Sequence, residues 1–272
     1  MRTMHPILQL KNVRREFTRG ADRVIALRGV RLDVFAEDFI TIVGSNGAGK
    51  STLLNIVAGV YPPERGGKVF INGKDITNLP EHRRAVHVSR VWQEPRMGTA
   101  GNLTIEENMS LAYKRGRTRL LHSALGKRRK QLYREALSQL GLGLEDRLNS
   151  LVGTLSGGQR QSLALVMATI SKPTVLLLDE HIATLDPRTA EIVLKLTESI
   201  VREEKMTALM VTHNMEHALE YGNRLVMMHQ GKIVVDMTGE QKSKLTINDL
   251  IQSFERAAGE QFKDDTILLS HD

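Results

Sequence analysis

Residues 39–60 read FITIVGSNGAGKSTLLNIVAGV. A short apolar run, FITIVG at 39–44, enters a glycine loop, and KSTLLNIVAGV leaves it with helical spacing. That order predicts a strand–loop–helix unit. Within it, Gly44, Ser45, Asn46, Gly47, Ala48, Gly49, Lys50 and Ser51 fit the pattern G-x-x-x-x-G-K-[ST]. Glycines let the backbone wrap closely without Cβ clashes. Successive N–H groups, with a helix N-terminus behind them, then face a triphosphate. Lys50 supplies a point charge at the β- and γ-phosphates, and the Ser51 hydroxyl suits Mg²⁺. The nucleotide-facing run is taken to extend through Thr52. A flexible turn without a ligand is the alternative, and the strand before and helix after speak against it.

The rest of the chain frames this unit. ILQLKNV at 7–13, VIALRGVRLDVF at 24–35 and KVFING at 68–73 have short apolar/polar spacing between Gly- or Asp-bearing turns. They predict antiparallel strands. Residues 102–141 differ: LTIEENMSLAYKRG and KRRKQLYREALSQLGL show helical periodicity, with Thr104 as N-cap and Glu107 at capping-box spacing. From 157 the pattern predicts a helix, a strand at 174–178, a helix at 188–204, a strand at 207–212 and short strands near 224–228 and 232–236. Apolar strands alternating with amphipathic helices imply an α/β fold with a largely parallel sheet covered on both faces. TINDLIQSFERAAGE predicts one last helix, and no repeat or low-complexity segment is present.

The chain has 272 residues, enough for one large α/β domain or two small ones. Its 41% apolar content lies in the globular range, and 4% aromatics make the core mainly aliphatic. There is no cysteine, which excludes disulfides and thiol catalysis and suits a reducing cytoplasm. No apolar run approaches the roughly 20 residues of a membrane span, and the first residues lack the apolar region of a signal peptide. A cytosolic protein, or one held at a membrane by partners, is expected.

The formal net charge is +7. YKRGRTRLLHSALGKRRK at 113–130 carries eight Lys/Arg and no acid. A solvated face, a surface near anionic lipid and a nucleic-acid patch all fit such a run. No aromatic-interleaved pattern accompanies it, so nucleic acid is not expected as a partner.

TVLLLDE at 174–180 reads as a buried strand ending in Asp179 and Glu180. Ligands of open α/β sheets sit beyond the carboxyl ends of strands. Two adjacent carboxylates there are costly unless something cationic or reactive uses them. Asp179 suits a direct or outer-shell Mg²⁺ partner. Glu180 suits a general base for an attacking water. An accidental pair, or one capping the next helix, is the competing reading. His213 ends another apolar run, TALMVT at 207–212. It fits either a structural histidine or an imidazole aimed at a γ-phosphate.

TLSGGQRQS at 154–162 is a second glycine-bearing helix start. Ser156, Gly157, Gly158 and Gln159 offer N–H groups, a hydroxyl and a helix dipole, but no lysine. By itself this is a weak nucleotide site.

GSNGAGKST, Gln93 in VWQEP, LSGGQRQ at 155–161, VLLLDE at 175–180, ATLD at 183–186 and His213 in MVTHN stand in one order along the chain. Together they resemble the ATP-binding subunit of ABC transporters, over about residues 7–236. The resemblance implies a P-loop NTPase core with an N-terminal antiparallel β subdomain and a helical subdomain. It implies one ABC ATPase domain over 1–272, the helical part at about 94–154 and a short tail at about 237–272. Phe17 is then the aromatic that stacks on adenine. Gln93 reaches Mg²⁺ and the attacking water, and His213 is the switch histidine. Asp186 belongs to a dimer interface. Ser156, Gly157, Gly158 and Gln159 face the γ-phosphate held by the partner chain's residues 44–52, so a homodimer encloses two ATP.

The family usually has Pro-Thr after the Asp-Glu pair, and this chain has His181-Ile182. That departure leaves both carboxylates in place. With LPEHRRA, MGTAGNLTIEENMSLA and LGLGLEDRL it resembles ATPases of bacterial uptake systems fed by an extracytoplasmic solute-binding protein, often assigned to aromatic amino acids or related small solutes. The implied partners are transmembrane permease subunits and the implied location is the cytoplasmic face of the inner membrane, with the basic stretch 113–130 near the membrane. The alternatives are an exporter or mechanotransmission ATPase and a soluble ABC ATPase outside transport. The absence of a long heptad insert and of a second cassette speaks against the DNA-repair and ribosome-acting kinds.

Overall fold

The computed structural model describes residues 5–20, 22–115 and 127–258. They fall into two compact units, drawn from residues 1–81 with 205–272 and from residues 82–204. In chain order the strands are β1 (Leu8–Arg19), β2 (Asp22–Val34), β3 (Phe39–Val43), β4 (Lys68–Ile71), β5 (Lys74–Asp75), β6 (Val88–Val91), β7 (Val175–Asp179), β8 (Ala208–Val211), β9 (Arg224–His229) and β10 (Lys232–Thr238).

The first unit holds an antiparallel sheet in the order β2-β1-β4-β5. Val30, Leu32 and Val34 are buried on alternate positions of β2, as a half-covered strand requires. β1 runs further than the spacing of 7–13 suggests. A register irregularity between Leu10 and Val13, where Asn12 takes φ 49, ends the apolar alternation, yet pairing with β2 continues to Arg19. Phe17 therefore lies inside β1, opposite Val24, and not beyond the strand.

β3 is the hub of this unit. It pairs in parallel with β8 on one side and β9 on the other, and all five of its residues are buried. That explains the run FITIV, apolar but for Thr41, whose hydroxyl donates to the Ala218 carbonyl at 2.9 Å. β10 adds antiparallel to β9. Arg224 ties this edge: its guanidinium bonds Asp236 at 2.6 and 2.7 Å and Asp38 at 2.8 Å. The helix Ile247–Ala258 supplies the expected last helix. Thr246 and Asp249 exchange hydrogen bonds at its start, and Leu250 packs with Val43, Ala218, Leu225 and Met227.

In the second unit β6 and β7 pair in parallel, Val88 opposite Val175 through Val91 opposite Leu178. Helices Ile105–Tyr113, Lys127–Ser138, Gly157–Thr169 and Pro187–Glu203 accompany them. The capping box read from LTIEEN is formed: Glu107 N–H donates to the Thr104 hydroxyl and Thr104 N–H to the Glu107 carboxylate. The Thr104 N–H and the Thr104 hydroxyl, both donating to the Glu107 carboxylate, hold that carboxyl below its ordinary pKa. Of the basic stretch, residues 116–126 lie outside the described residues. Lys130 pairs with Glu106 at 3.0 Å. Among the described residues no helix is long and apolar enough to cross a membrane.

Candidate functional site

The phosphate loop leaves the C-terminal end of β3 and enters the helix Lys50–Ala58. Gly49 is left-handed at φ 101, and a Cβ there would come within 2.4 Å of the Ala26 carbonyl oxygen. Only glycine fits that position. Asn46, Gly47 and Ser51 are exposed, whereas Lys50 is buried with its Nζ donating to the carbonyls of Gly44 at 2.6 Å and Ser45 at 3.1 Å. The loop is thus preformed around its own lysine, and Gly49 gives the helix start no side-chain cap.

His213 follows β8, the parallel neighbour of β3, so it emerges at the same sheet edge as the loop. It is exposed on a bend. Asn214 beside it caps the helix Met215–Glu220 by accepting from His217 N–H at 3.0 Å. In β1 the Phe17 ring meets Tyr61 edge-on at 5.2 Å, and the Arg15 guanidinium lies 4.9 Å from Phe17 and 5.3 Å from Tyr61. Phe17 is thus braced by Tyr61 and Arg15.

The second unit carries the other candidate residues. β7 ends at Asp179. Glu180 follows at φ 44, an uncommon backbone state for a residue with a side chain. The next helix is capped by Asp186, which accepts from Thr189 N–H at 3.1 Å. Its carboxyl is held below the usual range by hydrogen bonds from the Thr189 side chain and backbone. Capping therefore does not account for Asp179 or Glu180. His181 is buried, with Nε2 at 3.1 Å from Thr197 Oγ1. Thr197 spends its hydroxyl hydrogen on the Val193 carbonyl at 2.7 Å, so His181 donates from Nε2–H. That bond anchors the turn that carries Glu180.

Asp179 forms an ion pair with Arg90 of β6. Gln93 is exposed two residues after β6, and its carbonyl accepts from Thr184 Oγ1 at 3.3 Å, within ATLD. Gln161 donates to the Trp92 carbonyl at 3.2 Å, and Arg160 bonds the Thr99 hydroxyl at 2.7 Å. The Gln93 segment is thereby stapled both to the loop after Glu180 and to the helix Gly157–Thr169.

That helix starts as its sequence suggests. Ser156 Oγ accepts from Gln159 N–H at 3.3 Å, and the Gln159 side chain accepts from Ser156 N–H at 3.2 Å. Gly158 packs against the helix Pro187–Glu203, where a Cβ would meet Thr189 Cγ2 at 2.3 Å. Ser156 and Gly157 are exposed. The first-turn N–H groups of Gly157 and Gly158 precede any intrahelical partner and suit an anion.

A model of the ABC transporter family matches residues 27–183. The chain belongs to the ABC transporter family. It is an ATPase of that family, with a P-loop NTPase fold. It is 44% identical to a tyrosine transport ATP-binding protein of Clostridioides difficile, over 92% of this chain and 100% of that protein. It is 33% identical to the spermidine/putrescine import ATP-binding protein PotA of Mesoplasma florum, over 84% of this chain, and spans 60% of that relative's length. Among solved structures, the dimeric ATP-binding cassette MJ0796, in a post-hydrolysis state bound to ADP and Pi, matches with a TM-score of 0.71 and 29% identity over 85% of this chain and 98% of that one.

The ABC motifs thus sit at strand ends and helix starts, as their spacing implies. Arg90, Arg160, Gln161 and Thr184 were not singled out by sequence. A charged residue inside the apolar strand VSRV was the one signal that pointed to Arg90.

Proposed function

We propose that this chain is the ATP-hydrolysing subunit of a bacterial importer for an aromatic amino acid or a related small solute. The match to the tyrosine transport ATP-binding protein, running the whole length of that relative, carries the reading. Two such chains form a homodimer with two ATP at its interface. Residues 44–52 of one chain bind the phosphates, and Ser156, Gly157, Gly158 and Gln159 of the other cover the γ-phosphate. Phe17 stacks on adenine. Glu180 takes the proton of the attacking water, Gln93 orients that water, and His213 donates to the γ-phosphate.

Ser51, Asp179 and Gln93 are hard oxygen donors that fit Mg²⁺. Among the described residues no group of three or more His, Cys, Asp or Glu side chains is placed to hold a metal ion by itself. When bound it neutralises phosphate charge.

The helical part at about 94–154 docks permease subunits at the cytoplasmic face of the inner membrane, with the stretch 113–130 near the lipid, and a solute-binding protein delivers cargo outside. Purification from native membranes tests this. Co-isolation with a membrane subunit, and solute-stimulated ATPase activity of that complex, are expected. Recovery of a soluble complex without a membrane subunit would sink the transport reading.

The loop assignment has its own test. Lys50→Ala is expected to weaken ATP binding about 10- to 100-fold, since a hydrogen bond to a charged group is worth roughly 1.5–3 kcal/mol. Calorimetric titration showing unchanged affinity would contradict it.

A further inference from the structure

Arg90 is an unexpected residue at its position. It lies on β6 between Ser89 and Val91, in register with Leu177 of β7. Side chains alternate along strands, so Arg90 shares its side with Trp92 on its own segment and, one step along β7, with Asp179. The contacts bear this out. The guanidinium pairs with the Asp179 carboxylate and lies 3.7 Å from the centroid of the Trp92 ring. Both charged side chains are nearly buried, at 8% and 13% exposure. A cation stacked on an indole face and paired with a carboxylate in such surroundings is a defined arrangement, not a solvated surface pair.

The arrangement bears on the metal. Asp179 has a resident cation before any divalent ion arrives. Two cations drawn to one carboxylate oppose each other, and low solvent exposure strengthens that opposition. We propose that Arg90 is a positioning residue for Asp179: it holds the carboxylate as an internal counter-cation in the metal-free chain, and Asp179 releases it on taking Mg²⁺. The inference rests on the reading of Asp179 as a metal carboxylate.

Two consequences follow. Arg90 raises the Mg²⁺ concentration that the site needs. Its departure also changes the surroundings of Trp92, the single tryptophan of the chain. Because Gln93 is the next residue, the change at Trp92 reaches the segment proposed to orient the attacking water. A purely structural ion pair would stay closed and leave Trp92 unchanged.

The test uses the full chain with saturating ADP, titrated with Mg²⁺ from an EDTA-treated start. Trp92 emission and, separately, ADP affinity by calorimetry are followed. In the wild type, emission should change saturably with Mg²⁺. In Arg90→Gln, emission should not respond to Mg²⁺, and the Mg²⁺ midpoint for tighter ADP binding should fall about tenfold, the size of a modest charge–charge effect. Arg90→Lys, which keeps the charge, should return the midpoint toward wild type.

Emission that stays flat in the wild type while Mg²⁺ strengthens ADP binding overturns the proposal and leaves the metal role of Asp179 standing. An Arg90→Gln midpoint equal to or above that of wild type also overturns it. If Mg²⁺ alters neither emission nor ADP affinity, the metal reading of Asp179 falls as well. Should Arg90→Gln fail to fold, the wild-type emission titration decides alone.

Discussion

Glu180→Gln is expected to bind ATP with near-native affinity and to hydrolyse it about 10²–10⁴-fold more slowly, the usual worth of a positioned general base. The substitution keeps the shape of the side chain and removes its negative charge, and with it the capacity to take a proton. The turn that presents it should survive. His181 remains bonded to Thr197, and Asp186 remains the cap of the helix Pro187–Glu203. The left-handed backbone at residue 180 admits glutamine as it admits glutamate. With hydrolysis stalled and ATP retained, two chains should stay closed together. Size-exclusion chromatography should then show a dimer with ATP and a monomer with ADP. Single-turnover hydrolysis near the wild-type rate would remove Glu180 from the base role.

The depth to which the sequence could be read varied with the physics of each element. FITIVGSNGAGKST was legible because the buried strand, the glycine loop and the helix each leave a separate signal, and they occur in the one order that makes a phosphate site. Thr104 with Glu107, and Ser156 with Gln159, were legible because capping is local chemistry over four residues. β1 was only half legible. Its alternation breaks at the irregularity near Asn12, and the pairing that carries it to Arg19 comes from β2, which no local pattern of β1 encodes. Arg224 with Asp38 and Asp236, and Arg90 with Asp179, were not legible, since each depends on which strands become neighbours. His181 depends instead on how the next helix packs. Its departure from Pro-Thr was visible, and its bond to Thr197 was not. Local motifs marked the candidate residues, and tertiary packing decided what holds them.

Ser156→Arg carries the sharpest test of the second glycine helix start. Here the loop GSNGAGKS brings its own lysine, and SGGQ brings only a cap, a dipole and first-turn N–H groups. A helix start so equipped is worth little to a nucleotide alone, typically 0.3–1 kcal/mol at about surface exposure. On the proposed reading, another chain delivers the phosphate to it. The substitution removes the cap acceptor, at a stability cost of about 1 kcal/mol, and sets a long side chain where the proposed γ-phosphate contact needs the N–H groups within about 3 Å. The phosphate loop's internal bonds, from Lys50 to Gly44 and Ser45, do not involve residue 156. ATP affinity of the isolated chain should therefore change by less than about threefold, whereas ATP-dependent dimerisation and hydrolysis should be lost. Ser156→Ala separates the two causes, because it forfeits the cap without adding bulk. It should unfold at a slightly lower temperature and retain a measurable part of the activity. If Ser156→Arg hydrolyses ATP at the wild-type rate, the γ-phosphate is not covered from this helix. If it loses ATP affinity in the monomer, residues 156–159 belong to the site of their own chain, and the sharing of sites between two chains is wrong.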